Sequence, residues 1–215
     1  MRVISAEILE VDLDLREPTD LPFEAGQWIS VPFGPKNVRA YSIASTPRSS
    51  RHITLCADVA PGGIGSAWFR GLTVGQDIGF KAPFGGFLFR RDDSRRPLFV
   101  AEEIGIVPIR SMLADLDETG FDLRGALVYW GRDQSWLPYH EELLALARRS
   151  PGLAYHPVVP SASIADLTAA VGAHAGDARD LVAYVSGGGA MIDAVREVLM
   201  AGGLDRKSVR WEKFW

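Results

Sequence analysis

Cysteine is almost missing: Cys56 is the only one in 215 residues. That excludes an internal disulfide, and any iron–sulfur cluster built on the cysteines of this chain alone. Cys56 stands in the apolar run Ile53-Thr54-Leu55-Cys56-Ala57, so it reads as a buried structural thiol. Histidine is scarce too. The four are scattered without metal-ligand spacing, and no metal site is expected. No apolar run approaches the ~20 residues of a membrane-spanning helix. Met1-Arg2-Val3 opens straight into strand-like sequence, with no signal peptide. Charge of neither sign dominates: 23 Lys and Arg face 27 Asp and Glu, for a net of −4, which gives no electrostatic reason to expect nucleic acid. The expectation is a cytoplasmic globular protein.

What is present divides at a polar break, Asp92-Asp93-Ser94-Arg95-Arg96. Before it, short strands alternate with Gly and Pro punctuation. The first runs over 3–15, with Ile8, Val11, Leu13 and Leu15 set among polar Glu7, Glu10, Asp12 and Asp14. Further strands are expected over 26–32, 39–45, 52–59, 78–83 and 86–89. Closely spaced short strands of this kind predict an antiparallel β-barrel over residues 1–93. After the break, Pro97-Leu98-Phe99-Val100-Ala101 is continuously apolar, as a strand buried on both faces should be. Helices over 108–118, 139–149, 164–171 and 190–202 alternate with strands over 125–129, 154–159 and 181–185. This predicts a doubly wound α/β domain with a parallel sheet over 94–215.

Arg39-Ala40-Tyr41-Ser42-Ile43-Ala44-Ser45 concentrates a fixed cation, a ring and two hydroxyls. A guanidinium suits a diphosphate bidentately, the phenol offers a flat surface, and a serine donates or accepts. In an extended strand Ser42 would face away from Arg39 and Tyr41, so the residues serve one ligand only if the strand ends or bends near Ser42. The competing reading is an ordinary strand with an exposed Arg and a half-buried Tyr. Gly62-Gly63-Ile64-Gly65-Ser66 would expose backbone N–H groups at a helix N-terminus, an anion site; an ordinary Ser-capped turn is the alternative.

Taken in order, these residues resemble the ferredoxin–NADP reductase superfamily along essentially the whole chain. Arg39-x-Tyr41-Ser42-x-x-Ser45 is similar to its flavin motif R-x-Y-S-x-x-S. Gly63-Ile64-Gly65-Ser66 is similar to its diphosphate turn, Pro83-Phe84-Gly85-Gly86-Phe87 to the segment closing the barrel, and Gly26-Gln27 to the start of the preceding strand. In the second half, Gly105-Ile106-Val107-Pro108, Gly131-Arg132, Met191 and Glu212-x-Phe214 fall where the superfamily has corresponding residues. The resemblance implies FAD rather than FMN. Arg39, Ser45, Gly63, Gly65 and Ser66 would hold the flavin, with Tyr41 packed on its ring system and Ser42 at its N5 edge. Phe214 or Trp215 would cover the opposite face. Ser42, Ser186 and Glu212 would surround the hydride-transfer position, and Gly105 and Arg132 would belong to the nicotinamide half.

That half departs from the pattern. Where the superfamily usually reads A-G-G-T-G-I-x-P, this chain has Ala101-Glu102-Glu103-Ile104-Gly105-Ile106-Val107-Pro108, and Ser186-Gly187-Gly188 replaces C-G-P. Glycines there let backbone approach a diphosphate. Each glutamate at about 8 Å would instead oppose it by roughly 0.5–2 kcal/mol. Alternatively both carboxylates point to solvent and complement a helix dipole. Arg132 suits a 2′-phosphate but Asp133 opposes one. The segment Pro160-Ser161-Ala162-Ser163 has no basic residue, so NADH is favoured over NADPH. The expected function is an FAD-dependent oxidoreductase moving electrons between NAD(P)H and a separate acceptor: a partner protein, a free flavin or a small molecule. The alternative is a flavin-binding electron-transfer subunit whose nicotinamide site is impaired by Glu102, Glu103 and Ser186.

Overall fold

The computed structural model describes residues 1–159 and 163–215. The first half forms two three-stranded antiparallel sheets. One is ordered β1 (Arg2–Ser5), β2 (Ile8–Asp14), β5 (His52–Asp58); the other β4 (Val38–Ser42), β3 (Trp28–Pro32), β6 (Lys81–Phe84). An isolated antiparallel bridge, Ile43 to Leu55, joins them. Both wrap a core containing Leu9, Val11, Ile29, Val31, Ile53, Leu55 and Phe69, the last from helix α1 (Ile64–Gly71).

The expected single strand over 3–15 is two strands. Its register shifts between Val3 and Ser5 as the chain turns back. The expected alternation also fails in β2, where Ile8, Leu9, Glu10 and Val11 are all buried. The reason is the neighbouring lobe. Leu9 and Val11 face the barrel core, whereas Ile8 and Cys56 face the core of the second half. Glu10, paired across the sheet with Cys56, shares that inward side. Residues 86–89 are not a strand, and the strand expected over 78–83 is confined to Lys81–Phe84.

The second half is a five-stranded parallel sheet ordered β11 (Val209–Lys213), β10 (Leu181–Gly187), β7 (Arg96–Glu102), β8 (Gly125–Trp130), β9 (Leu153–Val158). Alternation along the strands feeds two cores. Phe99, Ala101, Leu127, Tyr129 and Tyr184 join Met112 and Leu116 of α2 (Ile106–Glu118) and Leu143 of α3 (His140–Arg149). Leu98, Val100, Val128, Ala183 and Val185 join Leu167 of α4 (Ile164–Ala175) and Val195 of α5 (Gly189–Ala201). Helices therefore cover both faces, as a doubly wound sheet requires. The C-terminal strand β11 was not anticipated: the segment 209–213 is short, charged and half exposed, because it forms an edge.

Strand order reverses between β7 and β10. Chains leaving β7 and β10 at their C-terminal ends diverge to opposite sides, opening a crevice there. Such a switch point is where open α/β sheets bind ligands. Among the described residues no helix is long and apolar enough to cross a membrane.

Candidate functional site

Strand β4 ends at Ser42, the break that the Arg39–Ser45 motif requires. Tyr41 is half-buried, its ring 5.5 Å from Trp68 at an interplanar angle of 29° and 5.2 Å from Phe69. Its hydroxyl abuts the first turn of α1: a Cβ added at Gly65 would lie 2.6 Å from Tyr41 Oη and 3.4 Å from Arg39 Cγ. Gly65 is thus glycine because two motif side chains occupy the space a larger residue would need. Tyr41 Oη is buried with no hydrogen-bond partner among the described residues. Burial pushes its pKa up to about 12, against the pull of the Arg39 charge, so it stays a neutral donor. Arg39 is exposed, donating to its neighbour's carbonyl at Val38.

Helix α1 starts at the N-cap Gly63 with no side-chain cap, and Ser66 is buried in its first turn. First-turn amides of a helix have no intrahelical acceptor. An exposed guanidinium, an uncapped helix start and a buried phenol without a partner among the described residues therefore lie side by side. Together they fit the diphosphate and polar edge of a flavin nucleotide, and Gly63, Gly65, Ser66, Arg39 and Tyr41 are all part of the arrangement. Ser45 is not. Its hydroxyl accepts from the Thr54 amide at 3.1 Å and its carbonyl from Ser111 Oγ at 2.7 Å, so it fastens the loop to α2. Trp68 is the neighbour that sequence reading passed over; its signal was an aromatic two residues beyond the Ser66 of the turn.

The three residues expected around a reacting centre do come together. Ser186 and Glu212 are direct partners in the β10–β11 register, and the Ser42 hydroxyl, arriving from the other lobe, stands near enough to the Glu212 carboxyl to favour its charged form. Burial dominates and raises the Glu212 pKa to about 7, with Ser42 opposing the rise. Ser186 Oγ and Glu212 Oε2 are buried without partners among the described residues. A half-neutral acid and a free hydroxyl form a polar corner able to hold or pass a proton near neutrality. The tail closes over it. Phe214 N donates to Gly187 O at 2.9 Å and Gly189 N to Trp215 O at 3.2 Å. Phe214 packs on the α2-side core, while Trp215 is 54% exposed.

At the crevice, neither glutamate points to solvent. Glu103 is 7% exposed at φ +45°. Its carboxylate takes a bidentate pair from Arg132, Nε to Oε1 at 2.7 Å and Nη2 to Oε2 at 2.8 Å. Arg132 lies 3.9 Å over the Trp136 ring, so the cation nominated for a nucleotide phosphate is already engaged. Tyr129 Oη donates to the Glu103 carbonyl at 3.0 Å. Glu102 reaches across the crevice, its Oε2 accepting from Gly188 N at 2.7 Å. Burial raises its pKa, with the Gly188 amide opposing. Gly105 is pressed against the Ser186 and Gly187 backbone, leaving no room for a Cβ. Its glycine serves strand packing. Of the segment lacking basic residues, Pro160, Ser161 and Ala162 lie outside the described residues. No cluster of potential metal ligands occurs among the described residues.

Comparison with known proteins agrees with this geometry. Residues 1–89 match the family described as an oxidoreductase FAD-binding domain. The chain is 31% identical to ferredoxin–NADP reductase B of Sorangium cellulosum, covering all of this chain and 94% of that one. It is 26% identical to the reductase component of a propane 2-monooxygenase from Rhodococcus jostii, spanning 98% of this chain but 60% of the relative. Among solved structures, an Amycolatopsis cytochrome P450 reductase superposes with a TM-score of 0.86 at 24% identity, over 99% of this chain and 67% of that one. The FAD/NAD-binding domain of a Vibrio cholerae nitric oxide dioxygenase gives 0.84 at 17%, over 99% and 94%. With its antiparallel sheets, its doubly wound domain and a Tyr41–Gly65 cradle suited to flavin, the chain belongs to the ferredoxin–NADP reductase superfamily and is an FAD-binding oxidoreductase.

Proposed function

We propose that this protein takes electrons from a reduced nicotinamide dinucleotide and delivers them to a separate acceptor, for which a partner protein is the leading candidate. The observation that carries this is the meeting of Ser42 with Glu212 and Ser186 where the two lobes join. The flavin-suited strand β4 and the switch-point strand β10 both reach that corner, contributing Ser42 and Ser186 respectively. FAD supplies the conversion between a hydride's two electrons and single-electron delivery. The chain's own part is positional. Arg39 and the α1 start with Ser66 hold the diphosphate, and Tyr41 supports the ring system. Ser42, Ser186 and Glu212 set hydrogen bonding at the reacting edge, and Phe214 and Trp215 exclude water. The division of labour is a flavin unit over 1–93 and a nucleotide unit over 94–215. With Arg132 neutralised by Glu103, NADH is the preferred donor. The relatives named as oxygenase reductase components support a protein acceptor, and the setting proposed for the exchange is the cytoplasm.

The test is anaerobic titration of the flavin-loaded protein with NADH and with NADPH, following flavin absorbance. Bleaching by NADH at lower concentration than by NADPH is expected. If neither bleaches the flavin while dithionite does, the reductase reading falls and an accessory electron-transfer subunit takes its place.

A further inference from the structure

The crevice between β7 and β10 is filled by the protein's own groups. At the start of α5, Gly188 N is satisfied by Glu102 Oε2 at 2.7 Å and Gly189 N by the terminal Trp215 carbonyl at 3.2 Å. Contact is close throughout. A Cβ on Gly187 would lie 2.6 Å from Glu102 Cβ, and one on Gly188 3.0 Å from Glu102 Oε2. The charges acting on Glu102 are Glu103 and Arg132, with Asp58 facing that pair and Lys213 at Gly189. Glu103 and Arg132 cancel one another as an ion pair. Lys213 is directed at the Gly189 side, and its ammonium forms no ion pair with Glu102. Glu102 thus brings a carboxylate with no ion-pair partner among the described residues to the place where strand order, helix polarity and the Ser186 hydroxyl converge for a ligand.

We propose that Glu102 is a built-in competitor of the dinucleotide. Its carboxylate holds the Gly188 amide and must leave before an anionic dinucleotide can occupy the crevice, so Glu102 sets donor affinity without touching the chemistry. This rests on the reading of the crevice as a dinucleotide site. Glu102 is a specificity-determining residue rather than a catalytic one, since Ser42, Ser186 and Glu212 are untouched when it moves. A purely structural role, capping α5 against its dipole, makes a different forecast: loss of stability with no change in affinity.

The experiment compares wild-type, Glu102→Gln and Glu102→Gly proteins, each loaded with flavin. NAD+ binding is measured by calorimetry and NADH reduction by anaerobic stopped flow. A hydrogen bond to a charged group contributes about 1.5–3 kcal/mol, or roughly 10–100-fold. The Gly variant should bind NAD+ at least about tenfold more tightly, with its limiting reduction rate unchanged. Gln keeps an acceptor for Gly188 but loses the charge, so it should tighten binding less; being isosteric, it also serves if the Gly variant does not fold. An NAD+ affinity the same in the Gln and Gly variants as in wild type overturns the proposal, even where NADH still reduces the flavin. Tighter NAD+ binding by the variants, with no reduction of any form by NADH, would uphold the competitor and instead sink the reductase reading.

Discussion

Glu212 is one carboxyl whose surroundings dictate both stability and chemistry. Its pKa is raised from 4.5 to about 7 because burial outweighs the opposing influence of the nearby Ser42 hydroxyl. A carboxyl whose folded pKa exceeds its unfolded value binds its proton more tightly in the native state. The associated stability is therefore fully present below about pH 4.5 and is lost as pH rises through about 7. The expected loss for this group is on the order of 3 kcal/mol. Glu212→Gln, which cannot ionise, should escape it. The difference in melting temperature between variant and wild type should grow in the variant's favour from pH 5 to pH 8. A difference that stays flat across this range would mean that the group titrates normally. Arg39 offers the converse case, an exposed cation whose one hydrogen bond among the described residues is to its neighbour's carbonyl. Arg39→Ala should leave the melting temperature of the flavin-free protein unchanged. It should weaken flavin retention by about 10-fold or more, the scale of a charge-assisted phosphate contact. Equilibrium dialysis against FAD checks both halves.

At the scale of elements, the loop after β7 shows what spacing alone conceals. The Glu102-Glu103 pair looked like bulk and charge placed either against a ligand or into water. Instead each carboxylate found a protein partner from a segment far away in sequence, Arg132 after β8 and Gly188 before α5. Such pairings depend on strand order, which no local pattern encodes. Glu103 also sits at φ +45°, a conformation costly for a side-chain-bearing residue and held by its ion pair and by Tyr129. Arg132→Ala strands a nearly buried carboxylate. Since the Arg132 side chain is itself 58% exposed, the cost should fall below that of a fully buried pair, at about 2 kcal/mol. Adding Glu103→Gly removes the orphaned charge and relaxes the backbone. The double variant should recover most of the loss in urea denaturation; additive losses would show that the pair does not support the loop. Strand β11 escaped sequence reading for a related reason. Exposed edge strands need little apolar alternation, and only its partner β10 makes the segment a strand. The long apolar strands β7, β8 and β10 were legible because burial on both faces leaves a continuous hydrophobic run. The flavin-side motif was legible because its residues are adjacent in sequence.

For the whole molecule, the two halves share a core rather than merely touching. Ile8, Ala44, Cys56 and Phe87 from the first half belong to the same cluster as Phe99, Met112 and Tyr129 from the second. Polar ties reinforce it: Arg110 donates to the Ala44 carbonyl at 2.5 Å, Ser111 to that of Ser45 at 2.7 Å, and Tyr139 to Glu10 at 2.5 Å. Glu10 is 3% exposed, and its other oxygen pairs with Arg2. This explains why a residue assigned to the polar side of an alternating strand is buried, and why the polar corner of Ser42, Ser186 and Glu212 can be rigid although it is assembled from both halves. Rigidity follows only if the halves unfold as one. Trp28 and Trp68 report on the first half and Trp130, Trp136, Trp211 and Trp215 on the second, so the fluorescence change and the loss of helical signal should coincide in a denaturant titration. Tyr139→Phe removes one bond to a buried carboxylate and should lower stability by about 1–3 kcal/mol while keeping the transition single. Separate transitions for tryptophan fluorescence and helix content in the wild type would mean that the seam opens independently. The Ser42–Glu212 contact would then be a transient meeting of two mobile units rather than a built site.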